Sequence, residues 1–281
     1  MASAEHWKIL KQGVAAWNEW RKQHSEIEPD LAGADLAGAD LGGVWLWKAQ
    51  LQGANLSGAN LSSANLIHAK LAQANLHGAD LSKVLLTNAD LSGANLTDAD
   101  LRETRAGGVN LRGANLSGAK LNKGRFASED FSGANLSGAK LDGAEFPNAK
   151  FCRANLHKAS LRQAKLGGSD LSDADFSEAN LNEANLWEAK PVGANFSKAK
   201  LEKAELTKTN FRGANLSKAK LAGANLTRAD LREANLSEAD LSDAKLCKAN
   251  LGKANLSKAK LAGADLEEAN LSGANLEGTG L

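Results

Sequence analysis

Arg105 and Arg125 stand twenty residues apart, the first beside Gly107 and Gly108 in TRAGGV, the second in GRFASEDF. Two guanidiniums next to backbone N–H groups carry the donors that hold a phosphate-like anion, and a glycine pair permits the irregular turn that would present those groups. A plain kink in a regular chain has the same signature, and Glu129, where alanine is the usual residue, fits the kink equally well. Lys120, Lys140, Lys200, Lys220 and Lys260 recur at multiples of twenty and form a candidate basic column for nucleic acid. Asp142, Asp240 and Asp243 dilute it. Cys152 and Cys247 lie 95 residues apart, match neither a metal nor a disulfide spacing, and read as unbridged thiols. His68, His77 and His157 form no ligand cluster. No nucleophile with a nearby base, phosphate-cradling glycine loop or acidic pair separates itself from its surroundings. The expectation is a protein that is not an enzyme and takes no cofactor or metal.

The element that must position these residues is a repeat. Of the 51 positions spaced by five from Leu31 to Leu281, 49 hold Leu or Phe, with Ala106 and Pro191 as exceptions. All seven Phe occupy such centres, and two residues before them 41 of 50 positions are Ala. A period of five suits neither an α-helix nor a flat strand. It suits a chain that bends the same way after each pentapeptide, so that every centre faces one axis and hydrogen bonds run between coils. Asn gives the size of a coil. It fills 20 of the 50 positions before the centres, and 11 of these fall among the 13 positions 35, 55, 75 and onward, where Asp35 and Asp175 interrupt. A column recurring every twenty residues means four pentapeptides per coil. Phe126/Phe146, Phe131/Phe151 and Phe176/Phe196 share that spacing, and small Ala106 precedes Phe126 by it. On this geometry His77 and His157 are about 19 Å apart, too far to share a metal. Charged blocks such as Glu178/Lys198 pair as well at fifteen as at twenty and do not discriminate.

The A-(D/N)-L-x-x units, as in ANLSG at 54–58 and ADLSD at 239–243, resemble the pentapeptide-repeat family over residues 29–281. The lead-in at 13–36 is similar to the segment that often precedes the repeats of cyanobacterial members. The resemblance implies an all-β solenoid, a right-handed quadrilateral β-helix, here with about 12 coils and a length near 60 Å at ~4.8 Å per coil. Some members, quinolone-resistance proteins among them, are similar to B-form DNA in width and negative charge and engage DNA gyrase. Residues 31–281 carry 30 basic and 28 acidic side chains, so the negative charge such mimicry needs is not here.

Residues 1–28 precede the repeats. Trp7, Leu10, Val14 and Trp17 follow a helical stripe with Ser3 as N-cap, which predicts one helix over 4–23 that caps the first coil. On the face holding centres 46, 66 and 86, Trp45, Trp47, Ile67 and Leu85 replace polar residues. They form either the dock for that helix or a partner-binding patch. The carboxyl-terminal coil, ANLEGTGL, has no cap and is a candidate end-to-end dimer contact or the place where a partner docks. The formal charge of +1 names no partner, and neither a secretory signal nor a span of about 18 apolar residues is present. These features predict a cytoplasmic structural or protein-interaction rod with an unidentified protein partner, no membrane and no nucleic acid; a gyrase-directed DNA mimic and a weak nucleic-acid or anion binder are the alternatives.

Overall fold

The computed structural model describes residues 3–280. The chain forms two compact units, Met1–Lys140 and Leu141–Leu281, and the helical segment belongs to the first. Each unit is built from one pentapeptide geometry, and its cause is visible in how the five N–H groups of a repeat are satisfied. In Asn75–Ala79, Asn75 N–H donates to Ala54 in the preceding coil at 2.9 Å, while Leu76 and Gly78 donate to Asn95 and Thr97 in the following coil at 2.7 and 2.9 Å. Ala79 N–H closes the turn on the Leu76 carbonyl at 3.0 Å. The fifth donor, His77 N–H, goes to Asn75 Oδ1 at 3.3 Å. A buried backbone donor without a partner is costly, and Asn or Asp before the centre supplies the acceptor that the backbone lacks. The second unit repeats the scheme at Asn195–Ala199, where Ser197 N–H donates to Asn195 Oδ1 at 3.1 Å.

Residues twenty apart are parallel bridge partners, Asn55 with Asn75 and Asn75 with Asn95 in the first unit, Asn195 with Asn215 in the second. The column carries a side-chain ladder of one polarity. Asn75 Nδ2 donates to Asn55 Oδ1 at 3.1 Å and Asn95 Nδ2 to Asn75 Oδ1 at 3.0 Å; Asn215 and Asn235 donate to Asn195 and Asn215 at 3.2 and 3.3 Å. The two interruptions head the ladders. Asp35 and Asp175 accept from Asn55 and Asn195 at 2.9 and 3.0 Å, and a carboxylate, which only accepts, suits a place where nothing need be donated onward.

Every corner places a residue two beyond the centre at positive φ, as a type II turn requires. Among the described residues thirty other than glycine adopt it, with φ between 55° and 66°. Gly58 has φ 63° and open space where a Cβ would lie, so a substitution there reports backbone strain alone. Gly58→Val should cost about 1–2 kcal/mol, and Gly58→Asn distinctly less, as measured by thermal denaturation.

Within the coils the centres are sealed: Leu51, Leu56 and Leu61, like Phe176, Phe196 and Phe211, have no exposed surface, whereas Ala106, Leu266, Leu271 and Leu276 are half-buried. Phe176 and Phe196 stack at 4.7 Å with 5° between their planes. At three inward positions a hydroxyl replaces the alanine methyl and finds an acceptor one coil back. Thr104, Ser169 and Thr209 donate to the carbonyls of Leu81, Phe146 and Leu186 at 3.3, 2.7 and 2.8 Å.

The amino-terminal segment departs from its expected form. Instead of one helix over 4–23 there are two, α1 (Ala4–Leu10) and α2 (Val14–Gln23). The chain breaks at Gly13, whose φ of 101° lies outside the helical region. Ser3 does cap α1, its side chain accepting from His6 N–H. The apolar stripe runs unbroken across the gap, which is why spacing alone joins the two. Leu10 and Trp17 are buried.

Candidate interaction site

α2 meets the first coil through four side chains. Trp17 Nε1 donates to the Trp45 carbonyl at 2.8 Å, and Asn18 both donates to the Gly43 carbonyl at 3.1 Å and accepts from Trp45 N–H at 2.9 Å. Arg21, wholly buried, gives Nη1 to the carbonyls of His24 and Ile27 at 2.9 and 2.7 Å and Nη2 to that of Trp47 at 3.2 Å. Its guanidinium lies 4.1 Å from the Trp47 ring centroid, a cation–π contact that strengthens on burial. Burial lowers its pKa, with the Glu26 carboxylate opposing the shift, and its buried Nε has no hydrogen-bond partner. Lys22 Nζ stands 6.0 Å from the Trp45 ring.

The four apolar residues of this face are therefore divided. Trp45 and Trp47, with ring centroids 5.6 Å apart, lie under α2. Ile67 is half-buried in the next coil. Leu85, 37 % exposed, pairs with Asn65 on one side and Arg105 on the other. Arg21 and Asn18 were not legible as site residues, because a charged and an amide side chain on a helix ordinarily face water. Trp187 was also missed; it lies 45 % exposed with Lys208 Nζ 5.7 Å from its ring.

Arg105 and Arg125 are register partners in two short parallel strands, β1 (Arg105–Gly107) and β2 (Arg125–Ala127), with Ala106 opposite Phe126. With Glu103 and Lys123 they line an open hollow of about 380 Å³. The nearby backbone donors already hold a carboxyl group of the protein's own. Glu129, 1 % exposed, accepts from Gly108 N–H at 2.9 Å. Burial pushes its carboxyl above the ordinary 4.5, and the Gly108 and Val109 amides only partly oppose this. Oε2 has no hydrogen-bond partner. Because the folded state holds this proton more tightly than the unfolded state, the stability tied to the neutral form is complete below pH 4.5 and is lost as pH rises through the raised value. Glu129→Gln, neutral throughout, should gain on the parent as melts move from pH 4 to pH 7; a constant difference would contradict the assignment.

In the basic columns Lys120 pairs with Asp100 and Lys140, and Asp240 stands between Lys220 and Lys260. The Ser242 hydroxyl, with help from these two lysines, holds the Asp240 carboxyl below its usual range. Charges beyond the centres pair at twenty: Glu188 with Lys208 at 2.9 Å and Glu178 with Lys198 at 3.9 Å. Cys152 and Cys247 are unbridged. Cys247 comes with Asp265 and Glu267, their donor atoms within 4.8 Å, on an exposed wall. His157 Nδ1 lies 2.9 Å from Ser177 Oγ. Among the described residues no helix is long and apolar enough to cross a membrane.

Coils stitched at intervals of twenty, leucine-centred corners and Asn ladders define a β-helix of pentapeptide units. The family model "Pentapeptide repeats (8 copies)" matches residues 30–66, 49–88, 94–126, 130–168, 159–190, 169–213, 192–228, 214–252 and 249–279. The chain belongs to the pentapeptide-repeat family. It is similar to HetL, a pentapeptide repeat protein involved in heterocyst differentiation regulation in the cyanobacterium Nostoc sp. strain PCC 7120, at 30 % identity over 94 % of this chain and 98 % of that one, with a TM-score of 0.28. Rfr23 of the cyanobacterium Cyanothece 51142 is 34 % identical over 36 % of this chain and 58 % of its own, TM-score 0.26. QnrB1, a plasmid-mediated fluoroquinolone resistance protein, is 19 % identical over 68 % of this chain and 88 % of its own, TM-score 0.32. No curated protein matches.

Proposed function

We propose that this chain is a non-catalytic protein-interaction scaffold: a right-handed quadrilateral β-helix, about twelve coils at twenty residues each, with α1 and α2 sealing its first coil. The observation that carries this reading is the division of labour within each repeat. Inward positions and the residue before the centre satisfy the core and the fifth N–H, so the side chains of the two residues after each centre can be chosen for recognition, the second among those that tolerate positive φ. A protein partner suits a broad wall of mixed polar side chains better than a small molecule, which needs an enclosed site. Affinity capture with the intact chain from native lysate, followed by identification of stoichiometric proteins, tests the reading. Capture that no wall substitution alters would overturn it.

The role of Trp45 and Trp47 follows from the same reading. As a dock for α2 they hold the seal in place, and Trp45→Ala should lower the melting temperature by several degrees while leaving partner capture by the other walls intact. An unchanged melting temperature would assign the pair to partner binding instead. The near balance of 30 basic and 28 acidic residues over 31–281 argues against a DNA mimic. The chain should leave gyrase supercoiling activity unchanged at micromolar concentration.

A further inference from the structure

The amino-terminal segment satisfies only part of the first coil's edge. Asp30 N–H donates to His6 Nδ1 at 3.1 Å and the Asp30 carbonyl accepts from Ser3 N–H at 3.0 Å. At the far side Trp17, Asn18 and Arg21 take the groups of Gly43, Trp45 and Trp47. Between these two anchorages the edge is open. In the next coil Asn55 and Asn60 donate their N–H groups to Ala34 and Ala39. Asp35 and Asp40 hold the same register in the first coil, and their N–H and C=O groups meet no partner among the described residues. Ala34, Leu36 and Leu41 keep 4–6 % exposure where Ala54, Leu56 and Leu61 have none.

Two hollows lie over this stretch, and Trp7 lines both. The larger, about 710 Å³, reaches from α1 to Asp35 and Gln52, and Gln52 Oε1 is a buried acceptor with no donor. The smaller, about 280 Å³, lies between Trp7 and the stretch that ends at Asp40 and Leu41. Asp35 and Asp40 are exposed. Each uses Oδ1 on the amide twenty residues on and on the N–H two residues on. Each keeps Oδ2 for a donor from above. Lys11, which lines the smaller hollow, is engaged over the Trp7 ring at 4.8 Å.

We propose that this edge binds a basic peptide that lies along residues 34–41 and follows their turn at Leu36–Ala39; the proposal deepens the scaffold reading and rests on it. Addition to an open edge supplies main-chain hydrogen bonds, and side-chain sites supply the selectivity. A peptide in register places basic residues five apart above Asp35 and Asp40 and sets an aliphatic side chain beside Trp7. The helices occupy both flanks, so a single segment fits where a whole coil of a second copy does not.

The test titrates the full chain into the fluorescently labelled peptide Ala-Lys-Leu-Ser-Gly-Ala-Lys-Leu and follows anisotropy. The expected result is saturation at one peptide per chain, at least tenfold weaker when both lysines of the peptide are replaced by glutamate. Asp35→Lys with Asp40→Lys should reverse that preference. The two-peptide comparison on the unaltered chain needs no variant to fold. Equal affinity for the two peptides, absence of saturation, or self-association of the chain that the lysine peptide does not displace would each overturn the proposal. Should the peptide fail while the intact chain still captures a protein, the edge site falls and the scaffold reading stands.

Discussion

Trp17→Ala should destabilise the first unit by about 3–5 kcal/mol, the range for deleting a fully buried aromatic side chain. Trp17 has no exposed surface, packs against Trp20 at 5.2 Å and closes the Trp45 carbonyl through its indole N–H. Removing it opens a cavity and strips a hydrogen bond from the part of the coil edge that Asn18 and Arg21 of the same helix also satisfy. Denaturant titration followed by tryptophan fluorescence would show an early transition absent from the parent chain. Trp187→Ala serves as the contrast: with 45 % of that residue exposed, its loss should fall within about 0.5 kcal/mol. Comparable losses for the two would mean that α2 contributes little to the first coil.

Gly124→Ala should destabilise by about 1–3 kcal/mol, although it installs the residue found at 41 of the 50 equivalent positions. A Cβ there would overlap Phe126 Cε2 and lie 3.0 Å from the Leu121 carbonyl oxygen, because in β2 the Phe126 ring turns onto this position, whereas Phe146, Phe151, Phe176 and Phe196 each keep an alanine two residues before them. Phe126→Leu alone should also cost stability, through the volume it removes. The double variant should recover most of the loss, so that the two changes are strongly non-additive in thermal melts. Additive losses would show that ring and methyl do not compete.

The period of five and the Asn column made the coil legible, because each is set by a repeated physical need: a filled axis and an acceptor for the fifth N–H. Features that depend on one exceptional contact were not legible. Glu129 reads as a misfit at an alanine position, and only the fold shows the Gly108 amide 21 residues earlier that it accepts from. Arg21 reads as a solvated helix residue until three carbonyls and the Trp47 ring converge on it. The pairing of Glu188 with Lys208 rather than with a residue fifteen away could be decided only once the coil length was known. The break at Gly13 was hidden by an apolar spacing that continues across it. Of the candidate patch, the sequence marked all four residues but not their division between the surface under α2 and the open wall at Leu85.

Asparagine ages by attack of the next residue's backbone nitrogen on its side-chain carbonyl, which closes a succinimide and releases ammonia, and water then opens the ring to aspartate or isoaspartate. In the ladders that nitrogen belongs to a Leu or Phe centre and is held in the bond to the following coil, at 2.7 Å from Leu56, Leu76 and Leu216 and 2.6 Å from Phe196. The side-chain amide is held too, by the ladder itself. A chain so rich in asparagine is thereby guarded against deamidation at the residues it depends on, and its shelf life is set by the integrity of its coils.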